Sequence, residues 1–162
     1  MTAETPHVGT SDVATVSVFP QSVGSWIPTL LYVEYNPANL MLVDLVARRP
    51  DQRLLSARDD ISGVAIAHTA LPDVILMDIN LPCISGIQAM RIQTTDVTTF
   101  RIPVVALSAN AVPDDIQKDL EAGFSRTLTK PIKINEFMTM LGEALELSKP
   151  QTAYATAKVK AR

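Results

Sequence analysis

The chain has 162 residues, 47% of them hydrophobic, and a formal net charge of −3. That is enough for one domain with a full core plus short tails, and it lacks the basic footprint of a nucleic-acid binder. It contains no run of about eighteen apolar residues and no basic stretch leading into an apolar one at the start. Neither a membrane span nor a secretory signal is therefore expected.

The single cysteine, Cys83, cannot form an internal disulfide and fits a reducing, cytoplasmic setting. With His7 and His68 far apart and no second cysteine, no zinc site is expected. Residues 1–27 mix Thr, Ser, Val, Pro and Gly without a helical period. They read as a flexible arm in which Val13–Phe19 can pair or dock locally. Trp26 is expected to pack at the domain edge. The domain itself is expected over 28–148, with 149–162 a small, polar, basic tail that frays.

Thr29–Val33 is a short apolar strand running into a carboxylate, Glu34. Asn36 and Pro37 then supply an N-cap and a first helical residue, and Leu40, Val43, Val46 and Ala47 recur at helical spacing. Arg48 and Arg49 complement the helix dipole and Pro50 stops the helix. Arg53–Ala57 predicts a second strand. Asp59 or Asp60 caps a helix from Ile61 to Ala70, with His68 late in it. Asp73–Pro82 is the most informative stretch: an apolar, partly β-branched run ends in Asp78, and Asn80, Pro82, Ser85 and Gly86 turn the chain at once. That is the pattern of a strand buried on both faces with a carboxylate at its carboxyl end.

A third helix follows over Gly86–Thr95, then a buried strand Val104–Leu107 leading into Ser108. Pro113, Asp114 and Asp115 open a fourth helix, which Gly123 ends as a left-handed cap. Ser125–Thr129 is the fifth strand, followed by Lys130 and Pro131, and a last helix runs from Asn135 to Leu147. Alternating strands and helices predict an α/β fold with helices on both faces of a parallel sheet. The doubly wound, flavodoxin-like order 2-1-3-4-5 fits best, a three-layer sandwich whose switch point sets Glu34 beside Asp78. Neither GxGxxG nor GxxxxGK[ST] occurs, so no dinucleotide site or P-loop is supported.

Taken alone, Asp78 is a reactive or metal-binding carboxylate, or merely a cap or turn former. Four strand ends converge on one sheet edge, however, bearing Glu34, Asp78, Ser108 and Lys130. Carboxylates there can hold a hard divalent ion such as magnesium. An aspartate can accept a phosphoryl group, and the ammonium and hydroxyl can each hold a phosphoryl oxygen.

At this point the chain resembles the receiver domain of bacterial two-component response regulators, especially receivers attached to hybrid histidine kinases. The likeness runs from Leu30 to Leu147 and rests on LYVEYNPANLMLV, PDVILMDINLPCISGIQAM, IPVVALSANA and GFSRTLTKPI, in family order. The resemblance implies phosphoryl transfer to Asp78 from a phosphohistidine on a histidine kinase or histidine phosphotransfer protein. It also implies Mg2+ held by Glu34, Asp78 and the backbone carbonyl of Asn80. Ser108 would follow the phosphate, Lys130 would pair with it, and Lys130–Pro131 would be a cis peptide.

Three departures stand against that pattern. Tyr35 occupies the place of the family's second acid, and a phenol with a pKa near 10 is a poor magnesium ligand at neutral pH, so metal binding is expected to be weakened. Thr127 stands where the family usually has Tyr or Phe, the ring that reports the state of Ser108 to the output face. Cys83 replaces a frequent glycine and reads as a small spacer, since no base lies near it in sequence. A phosphorylation-independent pseudo-receiver, a pure protein-interaction module, is the alternative function. A metal-dependent phosphohydrolase is disfavoured, because no separate general base or substrate cap is visible, and the chain is read as a non-enzyme. A homodimer is left open, and no nucleic-acid or membrane partner is expected.

Overall fold

In the computed structural model, which describes residues 26–149, five parallel strands alternate with five helices. The strands are β1 Thr29–Val33, β2 Arg53–Ala57, β3 Val74–Asp78, β4 Val104–Ser108 and β5 Arg126–Thr129. The helices are α1 Pro37–Ala47, α2 Asp60–Ala70, α3 Gly86–Thr95, α4 Pro113–Ala122 and α5 Ile134–Ser148. The sheet order is β2-β1-β3-β4-β5, as the alternation predicts. Most of the arm and tail lie outside the described residues, Val13–Phe19 included. Trp26 is half-buried at the domain edge. Among the described residues no helix is long and apolar enough to cross a membrane.

Every residue of β3 and β4 is buried, which is why both read as nearly continuous apolar runs. Side chains alternate between two core layers. Leu30, Tyr32, Val74, Leu76, Val105, Leu107 and Leu128 pack with Val43 and Ala47 of α1 and with Phe137, Met140, Leu141 and Ala144 of α5. Leu31, Val33, Ile75, Met77, Val104 and Ala106 pack with Ala67 of α2, Ala89 and Met90 of α3, and Phe124. The register sets Val33 against Met77 and Asp78 against Leu107, so the carboxyl ends of β1, β3 and β4 finish at one level.

The helix signals hold with local adjustments. The Asn36 side chain accepts from Ala38 N at 2.9 Å and Pro37 is the first helical residue. Asp59, not Asp60, caps α2, accepting from Ser62 N at 2.7 Å. Ser85 and Gln88 form a capping box at α3. The α4 N-cap is Val112, with no side-chain bond, and Gly123 ends the helix at φ 109°. Strand β5 starts one residue later than expected and α5 one residue earlier. Arg48 pairs with Asp44 at 2.6 Å, and His68 Nε2 lies 3.3 Å from Asp96 Oδ2 in the segment between α3 and β4.

Candidate functional site

Three of the four strand-end side chains meet directly. Lys130 Nζ lies 2.8 Å from Glu34 Oε2 and 2.8 Å from Asp78 Oδ2. Both carboxylates are buried and the lysine is partly so. Strand alternation accounts for the meeting. Glu34 continues the face of Leu30 and Tyr32, Asp78 that of Val74 and Leu76, and Lys130 that of Leu128.

Ser108 follows the other alternation, with Val104 and Ala106. Its hydroxyl accepts from Asn110 N at 3.1 Å, and its carbonyl accepts from Lys130 N at 2.8 Å. It therefore borders the cluster through the backbone rather than by a side-chain bond. The Lys130–Pro131 peptide is cis, as the resemblance implied.

Asp78 is fixed at both oxygens, Oδ2 by Lys130 and Oδ1 by Asn80 N at 2.9 Å. The chain then folds back tightly. Gly86 N donates to Ile79 O at 3.0 Å. A Cβ on Gly86 would stand 2.8 Å from Ile79 Cα and 2.9 Å from the Asp78 carbonyl oxygen, so only glycine fits at the start of α3. Cys83 is exposed in the same loop.

Glu34 carries more donors than the sequence reading supplied. Its Oε2 accepts from Lys130 Nζ, from the Tyr32 hydroxyl at 3.2 Å and from Asn39 Nδ2 at 3.2 Å, and its Oε1 accepts from Asn36 N at 3.0 Å. Burial alone would push the Glu34 carboxyl up. The Lys130 ammonium and the Asn36 and Asn39 donors outweigh it and hold the group below the usual carboxylate range. Burial likewise disfavours the Lys130 ammonium, but its bonds to Asp78 and Glu34 outweigh that and raise its pKa. The Tyr32 hydroxyl is pushed well above its ordinary range, by burial first and by the Glu34 charge second, and so stays a neutral donor.

Three contributors escaped the sequence reading. Tyr32 was counted only as an apolar strand residue, although its two-residue spacing from Glu34 puts both on one face. Asn39, in the first turn of α1, reaches back to the strand end. Asp60, fully buried at the start of α2, accepts from Ile84 N in the loop after Asp78. Tyr35 is 63% exposed, and among the described residues no three His, Cys, Asp or Glu side chains are grouped to hold a metal ion.

The donors left for a divalent ion are few. Glu34 Oε2 is filled by protein donors, and what remains is one lone pair on Glu34 Oε1, the free capacity of Asp78 and the Asn80 carbonyl. Magnesium demands six oxygens in near-octahedral array. Magnesium usually keeps several waters and is held through one or two carboxylates, so the residues present fit an ion bound largely through its water.

Comparison with known proteins gives a consistent picture. Residues 30–142 match the family model described as the response regulator receiver domain. Protein PilH of Pseudomonas aeruginosa is 32% identical over 103 residues, 64% of this chain and 85% of that protein. The polar-differentiation response regulator DivK of Brucella anthropi is 28% identical over 120 residues, 72% of this chain and 98% of DivK. Among solved structures, the receiver domain of the Pseudomonas aeruginosa sensor histidine kinase PA1611 superposes with a TM-score of 0.68. It is 33% identical, with 74% of this chain and 98% of that one covered, and holds a magnesium ion coordinated in its active-site cleft. The chemotaxis response regulator CheY4 of Vibrio cholerae shares the fold at a TM-score of 0.70 and 21% identity, over 74% of this chain and all of that one.

Proposed function

Since the chain belongs to the response regulator receiver domain family, we propose that it is a phosphoacceptor of a two-component phosphorelay, with Asp78 as the acceptor. The observation that carries this reading is the Lys130 ammonium 2.8 Å from a buried, strand-end Asp78 carboxylate. An Asp78 oxygen attacks the phosphorus of a phosphohistidine. The new O–P bond forms as the N–P bond breaks, and the imidazole leaves with that electron pair and is protonated. Lys130 neutralises charge on the transferring group, and Ser108, one strand over, can turn its hydroxyl toward the product.

The partner is a histidine kinase or a histidine phosphotransfer protein. Exposed apolar side chains support such a docking event: Tyr35 next to Glu34, and Met41, Leu42 and Leu45 along α1. Magnesium, present in the relative from Pseudomonas aeruginosa, is held weakly here because Tyr35 supplies no carboxylate. A cytoplasmic setting follows from a cytoplasmic donor, and signalling proceeds by conformational change or partner binding rather than by turnover of a small substrate. Self-association is checked by sedimentation with and without beryllofluoride.

The test is uptake of a phosphoryl group from acetyl phosphate or a phosphohistidine donor, read by intact mass, with and without magnesium. The reading expects an acid-stable, base-labile adduct in the unsubstituted protein and none in Asp78→Asn. A second reading, a pseudo-receiver that binds partners without phosphorylation, is favoured by Tyr35 and Thr127. It takes over if no donor modifies Asp78.

A further inference from the structure

We infer that Glu34 is the fixed counter-ion that holds the Lys130 ammonium over Asp78, and that Tyr32 and Asn39 are positioning residues that keep it in that role. The inference rests on the phosphoacceptor reading of Asp78 and gives Glu34 a different task from metal binding.

The donor count leads to it. A carboxylate oxygen offers two lone pairs. Oε2 of Glu34 meets three donors, from Lys130, Tyr32 and Asn39, and Oε1 accepts one backbone N–H, which leaves it a single lone pair. A cation approaching Oε2 has to displace one of them inside a site where the residue is 1% exposed, and the lone pair left on Oε1 offers a single contact at most. Displacing Lys130 strips Asp78 of its ammonium as well, because the same Nζ serves both. Displacing Tyr32 strands a buried hydroxyl without a partner, which is unfavourable.

The geometry also says what the arrangement achieves. An ammonium has three donors and no acceptor. One N–H is directed to Glu34 and one to Asp78, which leaves the third for an incoming phosphoryl oxygen. A flexible four-carbon stem would otherwise let the charge wander. Tyr32 and Asn39 orient the plane of the Glu34 carboxylate, and that plane fixes where Nζ sits. Tyr32 suits the role because a neutral phenol in the core neither titrates nor competes with Lys130 for charge.

Glu34→Gln, Tyr32→Phe and Asn39→Ala, each checked for native circular dichroism, are compared with the unsubstituted protein. One readout is the exchange rate of the Lys130 ammonium protons by 15N NMR, and the other is the magnesium Kd by calorimetry. The ammonium signal should be slowly exchanging in the unsubstituted protein. It should exchange several-fold faster in Tyr32→Phe and Asn39→Ala and vanish in Glu34→Gln, while the magnesium Kd stays within about twofold throughout. A Kd that rises about tenfold or more in Glu34→Gln makes Glu34 a metal ligand and overturns the inference. Unchanged ammonium exchange in Tyr32→Phe and Asn39→Ala does so too, even if Glu34→Gln fails to fold. Neither readout needs phosphorylation, so an unmodifiable Asp78 refutes the phosphoacceptor reading while these measurements still decide the role of Glu34.

Discussion

Thr127 Oγ1 donates to Asp119 Oδ2 across 3.4 Å, joining β5 to α4 by one long polar contact at the position where receivers usually carry an aromatic ring. Asp119 is buried in the helix face that packs on β5. Burial raises its carboxyl above the ordinary value, the Thr127 bond offsets part of that, and the Asp115 charge adds to it. A carboxyl with a raised folded pKa favours folding below its unfolded value, and that benefit is lost as pH rises through the folded value. Asp119→Asn should therefore be more stable than the unsubstituted protein at about pH 7, with the gap closing toward about pH 3. Urea unfolding at the two pH values checks this, and a gap independent of pH refutes it. Thr127→Val, which deprives the buried carboxylate of a donor, should cost about 1–2 kcal/mol at neutral pH.

Switching should be local. A ligand shifts an equilibrium only by its differential affinity for the two states. Thr127 is too small to fill space vacated by Ser108, so little packing is gained when Ser108 turns toward a phosphate. With beryllofluoride, amide NMR shifts should concentrate in residues 79–86 and in the loop after Ser108. Comparable shifts across residues 113–130 would show that α4 and β5 switch without an aromatic ring.

Tyr35 should limit the metal. Tyr35→Asp restores a carboxylate at the mouth of the pocket and should tighten magnesium by about tenfold or more, equal to roughly 1.4 kcal/mol. Calorimetric titration of both proteins decides it, and equal affinities would mean that Tyr35 is not the obstacle.

Gly86→Ala should destabilise the fold by about 1–3 kcal/mol, because the added methyl meets backbone rather than a movable side chain. The displaced atoms belong to Asp78 and Ile79. Phosphoryl uptake should therefore fall in the fraction that remains folded. Chemical denaturation and intact mass measure the two effects separately.

The Glu34–Lys130 pair sets a pH window. The depressed Glu34 carboxyl contributes stability that is present above its unfolded value and lost as pH falls through the folded one. The raised Lys130 ammonium contributes stability that is present below its unfolded value and lost as pH rises through the folded one. Lys130→Met should lower stability most at neutral pH, where Glu34 is left charged and buried, and the loss should shrink on acidification. A loss that grows toward low pH contradicts the sign.

Much of the fold was legible because local and tertiary signals agree. The run from Val74 to Asp78 is buried on both faces, Asn36 and Pro37 start α1, and the left-handed Gly123 closes α4. The strand order followed from short right-handed connections, and it brought Glu34, Asp78 and Lys130 to one edge. What escaped depends on contacts between elements. Asp59 and Asp60 are equally good caps in sequence, and only the approach of Ile84 gives Asp60 its own partner. Asp119 reads as a solvated helix acid until α4 lies down on β5. Asn39 lies five residues after Glu34 and meets it only once α1 turns back over the end of the strand.

The buried Asp60 has a mechanical consequence. Between Asp78 and Gly86 the backbone is riveted at three places: Asn80 N to Asp78, Ile84 N to Asp60, and Gly86 N to Ile79. A strap fastened this way cannot flap as a free loop. Ile84 N fastens the strap to the first turn of α2, and His68 near the other end of α2 meets Asp96. The acceptor loop is thus tied to the α2 side of the sheet, at the opposite end of the strand order from β5.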